Sequence, residues 1–347
     1  MKKFLLKVAI FAIYALALNI ILPVLIDPFN VFHIKNIRHV GAEPNRNYIK
    51  MNYILDNPKK FNGFMFGSSR VGAIHVDKIL GEKIYNMTYS VGLPSEHLDN
   101  LKTFLANNIY PRKIFIGVDN ISYTVAPEIH VEDAMRCPYE YLIGNNIVHF
   151  YNLYLNPYIG FNGIYLFFTE HEKINPLEFY EYGWQYDYNR VSKYDFDNLR
   201  YKQDTKQESF NDEIKHSIVI ISEIVNICRE NNIELVIFTN PLQKITYMQA
   251  LDRNYLVFLE GLANITDFYN FSGFNNITLD NNNYLDWSHY KAEIGDIIIN
   301  VICNGVKYPE LNSQGFGVKV TRDNVKDLIR LLTEQAENFK QNKIPGI

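Results

Sequence analysis

Cysteine is scarce in this chain: three residues among 347, Cys137, Cys228 and Cys303. They lie far apart and match no zinc-ligand spacing. Cys228 and Cys303 fall in apolar helical patterns, the usual setting of buried free thiols, so a disulfide framework is not expected. Blocks of Lys or Arg are also missing, and the formal net charge is only −4. That removes the electrostatic footprint a nucleic-acid surface needs. No internal repeat is found. What is abundant is aromatic: 25 Tyr and 23 Phe, many of them in one middle stretch. The length suffices for one large α/β domain with insertions.

The N-terminus reads MKKFLLK and continues as an uncharged run from Val8 to Ile26. A helix of that length crosses a hydrocarbon core of about 30 Å at about 1.5 Å per residue. Lys2, Lys3 and Lys7 precede it, which by the positive-inside rule leaves the N-terminus cytoplasmic and the remaining chain extracytoplasmic. A cleaved signal peptide would be shorter, with a small-residue site at its end; Ala15-Leu16-Ala17 sits too early in the run. Asp27-Pro28 ends the helix. The expected layout is a tip and membrane anchor over 1–28, a polar connector over 29–60, an α/β domain over 61–320, and a C-terminal helix over 321–347.

From residue 61 onward, strands alternate with helices. Apolar runs at 61–66, 83–86, 113–118, 235–239 and 265–271 read as strands. Helical periodicity falls at 71–80, from Ser95 as N-cap, and at 210–231, 246–263, 290–303 and 323–340. Such alternation implies a parallel sheet with helices on both faces. It is interrupted over about 125–205.

Ligands in such sheets sit beyond the carboxyl ends of the strands. The first of these ends is Gly67-Ser68-Ser69-Arg70. A glycine turn followed by serines at a helix start suits a nucleophile whose neighbouring N–H groups face an anion; a plain serine N-cap fits the same residues. Before the last helix of the series stands Asp286-Trp287-Ser288-His289. A histidine base needs a carboxylate to set its tautomer, and one loop supplies both, although a helix-capping aspartate beside a surface histidine also fits.

Taken together, Gly67-x-Ser69 after the first strand and Asp286-x-x-His289 before the last helix resemble the SGNH/GDSL hydrolases. The resemblance spans roughly 61–305 in element order and implies a flavodoxin-like sheet and a triad of Ser69, His289 and Asp286, with Ser68 the fallback nucleophile. It also implies an oxyanion hole from the N–H groups of Ser69 and of Gly92, in Asn86–Gly92. The family's third motif, Gly-x-Asn-Asp, reads Gly117-Val118-Asp119-Asn120 here. A carboxylate stands where the asparagine belongs, and Asn120 is the candidate substitute. The Gly-Ser-Ser start and the anchor are similar to the branch that holds the D-alanyl transfer protein of teichoic acid synthesis and the alginate O-acetylation proteins. That likeness implies an esterase or O-acyltransferase acting on an acylated cell-envelope carbohydrate or lipid-linked substrate, beside a membrane-bound O-acyltransferase, without metal or organic cofactor. The alternative is a non-catalytic anchored subunit of the same fold.

The 125–205 stretch holds Tyr139, Tyr141, Phe150, Tyr151, Tyr154, Tyr158, Phe161, Tyr165, Phe167, Phe168, Phe179, Tyr180, Tyr182, Trp184, Tyr186 and Tyr188. Such rings suit sugar stacking or a membrane interface, and equally the core of a small helical subdomain. Asp187, Asp195 and Asp197 are scattered and suggest no metal site. His75, His97, His149 and His171 have no evident partner and are expected as surface or core residues.

Overall fold

In a computed structural model, residues 1–33, 44–143, 147–155, 176–183 and 210–343 are described, with isolated positions between 165 and 201. The remaining positions, among them Tyr158, Phe161, Phe167, His171, Trp184, Tyr186, Asp187, Tyr188 and Asp197, lie outside the described residues.

The chain divides into two compact units, Met1–Asn57 with Glu128–Tyr180, and Pro58–Pro127 with Glu181–Ile347. The second unit holds a six-stranded sheet: β1 (Gly63–Gly67), β2 (Ile84–Asn86), β3 (Lys113–Val118), β4 (Glu234–Thr239), β5 (Phe268–Asn270) and β6 (Val318–Val320). Their order is β2-β1-β3-β4-β5-β6. All neighbours pair in parallel except β5 and β6, which are antiparallel. Alternation along β1 covers both faces of the sheet. Phe64 and Phe66 pack on Phe104 of the Pro94–Ala106 helix. Met65 joins Phe115, Phe238, Ile294 and Ile298 in a core that includes the Ala292–Asn304 helix. Strands buried on both faces read as near-continuous apolar runs, which is why they stand out in the sequence.

Several boundaries differ from expectation. The helix expected over 71–80 is two 3₁₀ turns, Ser69–Ala73 and Val76–Lys78. The 246–263 helix is broken into Lys244–Asp252 and Tyr255–Ile265, because Asn254 adopts a left-handed φ of 61°. Ser95 is not the N-cap; Pro94 takes the first helical position, where its missing N–H costs nothing, and the Leu93 N–H donates to Glu96 Oε2 at 3.2 Å. The C-terminal helix expected over 321–347 runs Val325–Lys343, and its Phe339 stacks on Phe274 at 4.2 Å.

In the first unit the Lys2–Ile26 helix is long and apolar enough to cross a membrane. Its 25 residues span roughly 37 Å at the α-helical rise. Asp27 ends it in the left-handed region, φ 45°, and its carboxylate accepts the N–H groups of Val31, Phe32 and His33 at 2.9, 2.9 and 2.6 Å. The polar connector expected over 29–60 instead contains a helix, Arg46–Asp56, whose Tyr48, Ile49, Met51 and Ile54 are buried. The 125–205 stretch is likewise divided: Glu128–Tyr180 clusters with the N-terminal residues, and the chain from Glu181 with the sheet.

Candidate active site

β1 and β3 are adjacent, but β2 lies on the far side of β1. The chain therefore leaves the carboxyl ends of β1 and β3 in opposite directions, which opens a crevice between them. Gly67 ends β1 with φ 153°. A Cβ there would lie 2.4 Å from Val71 Cγ2 and 2.9 Å from the Gly117 carbonyl oxygen, so only glycine lets β1 turn this close to β3.

The turn separates its two serines. Ser69 Oγ lies 2.8 Å from His289 Nε2. On the other side of the same ring, His289 Nδ1 is 2.9 and 3.0 Å from the two oxygens of Asp286. An ionised carboxylate only accepts, so Nδ1 carries the proton and Nε2 turns its lone pair to the serine hydroxyl. Ser68 is buried and donates instead to Asp119 Oδ2 at 2.9 Å. The fallback serine thus has a carboxylate for a partner, and the histidine belongs to Ser69.

The loop that brings Asp286 and His289 to β1 is tied at both ends. Tyr284 and Tyr290 pair in a short antiparallel bridge. Their buried hydroxyls donate to the Pro241 carbonyl at 3.3 Å and to Asn240 Oδ1 at 3.1 Å. The Thr246 hydroxyl donates to the Trp287 carbonyl at 2.6 Å. Within the loop, Asp286 Oδ1 accepts the N–H groups of Ser288 and His289 at 2.7 and 2.9 Å. Burial raises the Asp286 pKa, but the bond and charge of His289 and these two N–H groups outweigh it, so the carboxyl titrates below its ordinary value.

Sequence reasoning missed the residue that ties the three segments together. Arg70, almost wholly buried, donates from Nη1 to Asp119 Oδ1 at 2.9 Å and to Asn120 Oδ1 at 3.3 Å, and from Nε to the Ser288 carbonyl at 3.1 Å. It thereby spans the turn after β1, the end of β3 and the His289 loop. Asp119 has all its acceptor capacity occupied. Oδ1 takes Arg70 and the Ile121 N–H at 2.8 Å, and Oδ2 takes Ser68 and Asn240 Nδ2 at 3.0 Å. A charged residue next to the serine and an acid at the end of β3 were visible in the sequence; only the β1–β3 pairing reveals that they neutralise each other.

The other predicted donors occupy mixed positions. The 86–92 segment is held to the nucleophile turn: Asn86 Nδ2 donates to the Val71 carbonyl at 3.1 Å. Val91, a β-branched residue, is held at φ 60°, the kind of backbone strain that clusters at functional loops. Gly92 approaches so closely that a Cβ would meet the Gly67 carbonyl oxygen at 2.5 Å, while its own N–H is directed to the Tyr89 carbonyl at 3.2 Å. Asn120 has its Oδ1 held by Arg70, a donor-only group, which turns Nδ2 the other way.

Of the remaining histidines, His75 pairs with Asp296 at 2.8 Å and His149 bonds the Val131 carbonyl at 2.8 Å; both have partners that the sequence did not suggest. His97 is a core residue beside Phe66, and burial pushes its pKa down to about 3. Among the described residues no group of three or more His, Cys, Asp or Glu could hold a metal ion. Comparison with family models, with curated proteins and with solved structures gives no match to this chain.

Proposed function

We propose that the chain is a membrane-anchored SGNH/GDSL-type serine esterase or O-acyltransferase. In this reading its acyl chemistry takes place outside the cytoplasm, on an acylated cell-envelope carbohydrate or a lipid-linked substrate. The observation that carries the proposal is the continuous hydrogen-bonded line from Ser69 Oγ through His289 to Asp286, joining groups 220 residues apart in sequence at the carboxyl edge of the sheet. The strand order supports it, because the β2-β1-β3-β4-β5 run is that of flavodoxin-like sheets. The apolar Lys2–Ile26 helix, with Lys2, Lys3 and Lys7 in its first turns, supports an anchor with a cytoplasmic tip.

His289 Nε2 takes the Ser69 proton as Oγ attacks the acyl carbonyl carbon. Asp286 steadies the imidazolium that forms. The carbonyl oxygen gains negative charge and is met by the Ser69 N–H and by Gly92, which exchanges its long bond to Tyr89 for a shorter charge-assisted one. Asn120 Nδ2, with its amide orientation set by Arg70, is the third donor. His289 then protonates the departing oxygen or sulfur, leaving an acyl-serine. A sugar hydroxyl or water repeats the sequence in reverse, returning its proton through His289. A membrane-bound O-acyltransferase is a fitting partner for such a relay.

The competing reading is a non-catalytic binding subunit. It rests on Asp119 standing where an oxyanion-hole asparagine is expected, since a bare carboxylate repels an oxyanion. Arg70, Ser68 and Asn240 absorb that charge, which weakens its basis. Covalent labelling of the full chain with a fluorophosphonate tests the proposal. Wild type and Ser68→Ala are expected to label, while Ser69→Ala and His289→Ala lose labelling and reduce ester turnover by at least about a thousandfold. Folded wild-type protein that does not label transfers the weight to the binding subunit.

A further inference from the structure

The helix Ile147–Tyr154 carries apolar residues on both sides, with Asn152 the one polar residue exposed beside them. One side, formed by Phe150, Leu153 and Tyr154, faces the interior of the first unit. The other presents Ile147, Val148 and Tyr151 to the outside, with exposures of 66%, 64% and 47%. Ile143, at the end of the preceding short helix, is also more than half exposed. A surface helix ordinarily turns polar residues outward, and exposed apolar groups clustered this way mark a contact surface.

The inner side of this helix identifies what lies next to it. Tyr154 packs on Phe29 at 6.0 Å and on Phe32 at 6.5 Å, and Phe150 packs edge-on against Phe32 at 5.6 Å. The Tyr154 hydroxyl accepts from Asn45 Nδ2 at 2.9 Å. Phe29 and Phe32 follow Ile26, the last residue of the apolar N-terminal helix, by three and six positions. Even fully extended, three residues span only about 10 Å and six about 20 Å. The Asp27 carboxylate caps this segment and keeps it more compact than that.

We infer that the Ile147–Val148–Tyr151 face lies in the lipid headgroup region, as a second contact with the bilayer beside the anchor. This rests on reading Lys2–Ile26 as a membrane span. The helix is short for an interfacial element and would not hold to lipid alone, but the adjoining span already keeps it at the surface. Ile147 and Val148 enter the upper acyl region, about 5–10 Å deep. Tyr151 places its ring among the headgroups, where amphipathic aromatics concentrate. The first unit is then seated on the membrane instead of swinging on a flexible tether.

The experiment uses the full chain reconstituted in phosphatidylcholine vesicles. A Cys303→Ser background leaves only the buried Cys137 and Cys228. Into it go, one at a time, Ile147→Cys, Val148→Cys, Val219→Cys as an exposed aqueous reference, and Leu16→Cys within the apolar helix. Each is labelled with an environment-sensitive fluorophore and quenched by lipids carrying nitroxides at shallow or deep positions. Labels at 147 and 148 are expected to be blue-shifted and quenched by shallow nitroxides. The label at 16 is expected to respond to deep ones, and that at 219 to neither. Quenching at 16 with 147 and 148 as dark to lipid as 219 overturns the interfacial contact and leaves the anchor standing. A blue shift at 147 and 148 without lipid quenching overturns it in favour of a protein partner. Loss of quenching at 16, 147 and 148 together overturns both the contact and the anchor.

Discussion

Each unit buries an arginine, and the two have different neighbours on their own elements. In the sheet unit Arg70 faces Asp119 and two carbonyl-type acceptors, and every bond has a defined direction. In the helical unit Arg46 shares the buried face of its helix with Lys50. Burial, and after it the charge of Arg46, drives the Lys50 ammonium well below its ordinary pKa. Next to them Asn47 is buried, and among the described residues neither of its amide atoms finds a partner. Ring contacts such as Tyr48–Tyr139 and Tyr48–Phe150 run through the helical unit. Ring packing gives cohesion with little direction, whereas paired charge and hydrogen bonds fix atoms relative to one another. The proposed chemistry sits where the second kind of packing prevails.

The sharpest way to break this comparison is to remove Arg70. Arg70→Ala leaves Asp119 buried without its counter-charge and is expected to cost about 3–5 kcal/mol in chemical denaturation. Pairing Arg70→Met with Asp119→Leu removes both charges together and is expected to restore most of that loss, since apolar replacement of a buried pair is often close to neutral. Labelling by the fluorophosphonate should stay low in the stable double variant, because the Ser288 carbonyl and the Asn120 amide have lost their anchor. A double variant that is stable and labels like wild type would reduce Arg70 to a structural residue.

The same contrast explains what the sequence disclosed. Ser69, Asp286 and His289 were legible because each lies in a short motif at the end of a strand or just before a helix, and strand ends are where parallel sheets bind. The strands at 113–118 and 235–239 were legible because burial leaves a nearly unbroken apolar run. β6 was not, since three residues at an antiparallel edge carry no periodicity. Arg70, Asn240 and Tyr290 were hidden for a different reason. Their roles depend on pairings across 50 to 218 residues, which no local pattern encodes. The Arg46–Asp56 helix escaped notice because Arg46, Asn47 and Lys50 read as a solvated face, although all three are buried.

A smaller effect separates the units by pH. His97 is buried and neutral, with a pKa of about 3 against 6.5 for an exposed imidazole. Between these values the unfolded chain binds a proton that the folded one refuses. Stability therefore falls as pH drops through this window, by up to about 1.4 kcal/mol per unit from this one group. Asp286 adds the same sign lower down, because its depressed pKa contributes stability above the ordinary carboxyl range that is lost as acid protonates the folded form. Thermal unfolding from pH 7 to pH 4 should show the decline, and His97→Phe should flatten it while leaving the Asp286 contribution in place. An unchanged slope in that variant would mean that His97 is protonated in the folded protein.

The least effect is expected from the helical unit's own cation. Lys50 is fully buried, and its folded pKa lies well below the 10.5 of a free lysine. The unfolded chain therefore holds a proton that the folded chain gives up, so this group adds stability as pH rises toward 10.5 and withdraws it as pH falls. Lys50→Met keeps the length of the side chain and removes the titration. It conserves volume, so packing should change by less than about 1.5 kcal/mol. Because the folded protein no longer excludes a proton that the unfolded chain holds, the variant should be at least as stable as wild type at pH 7, with an advantage that shrinks toward pH 9. Denaturant titrations of wild type and variant at those two pH values decide the matter. A loss of several kcal/mol at both would mean that Lys50 is charged in the folded protein.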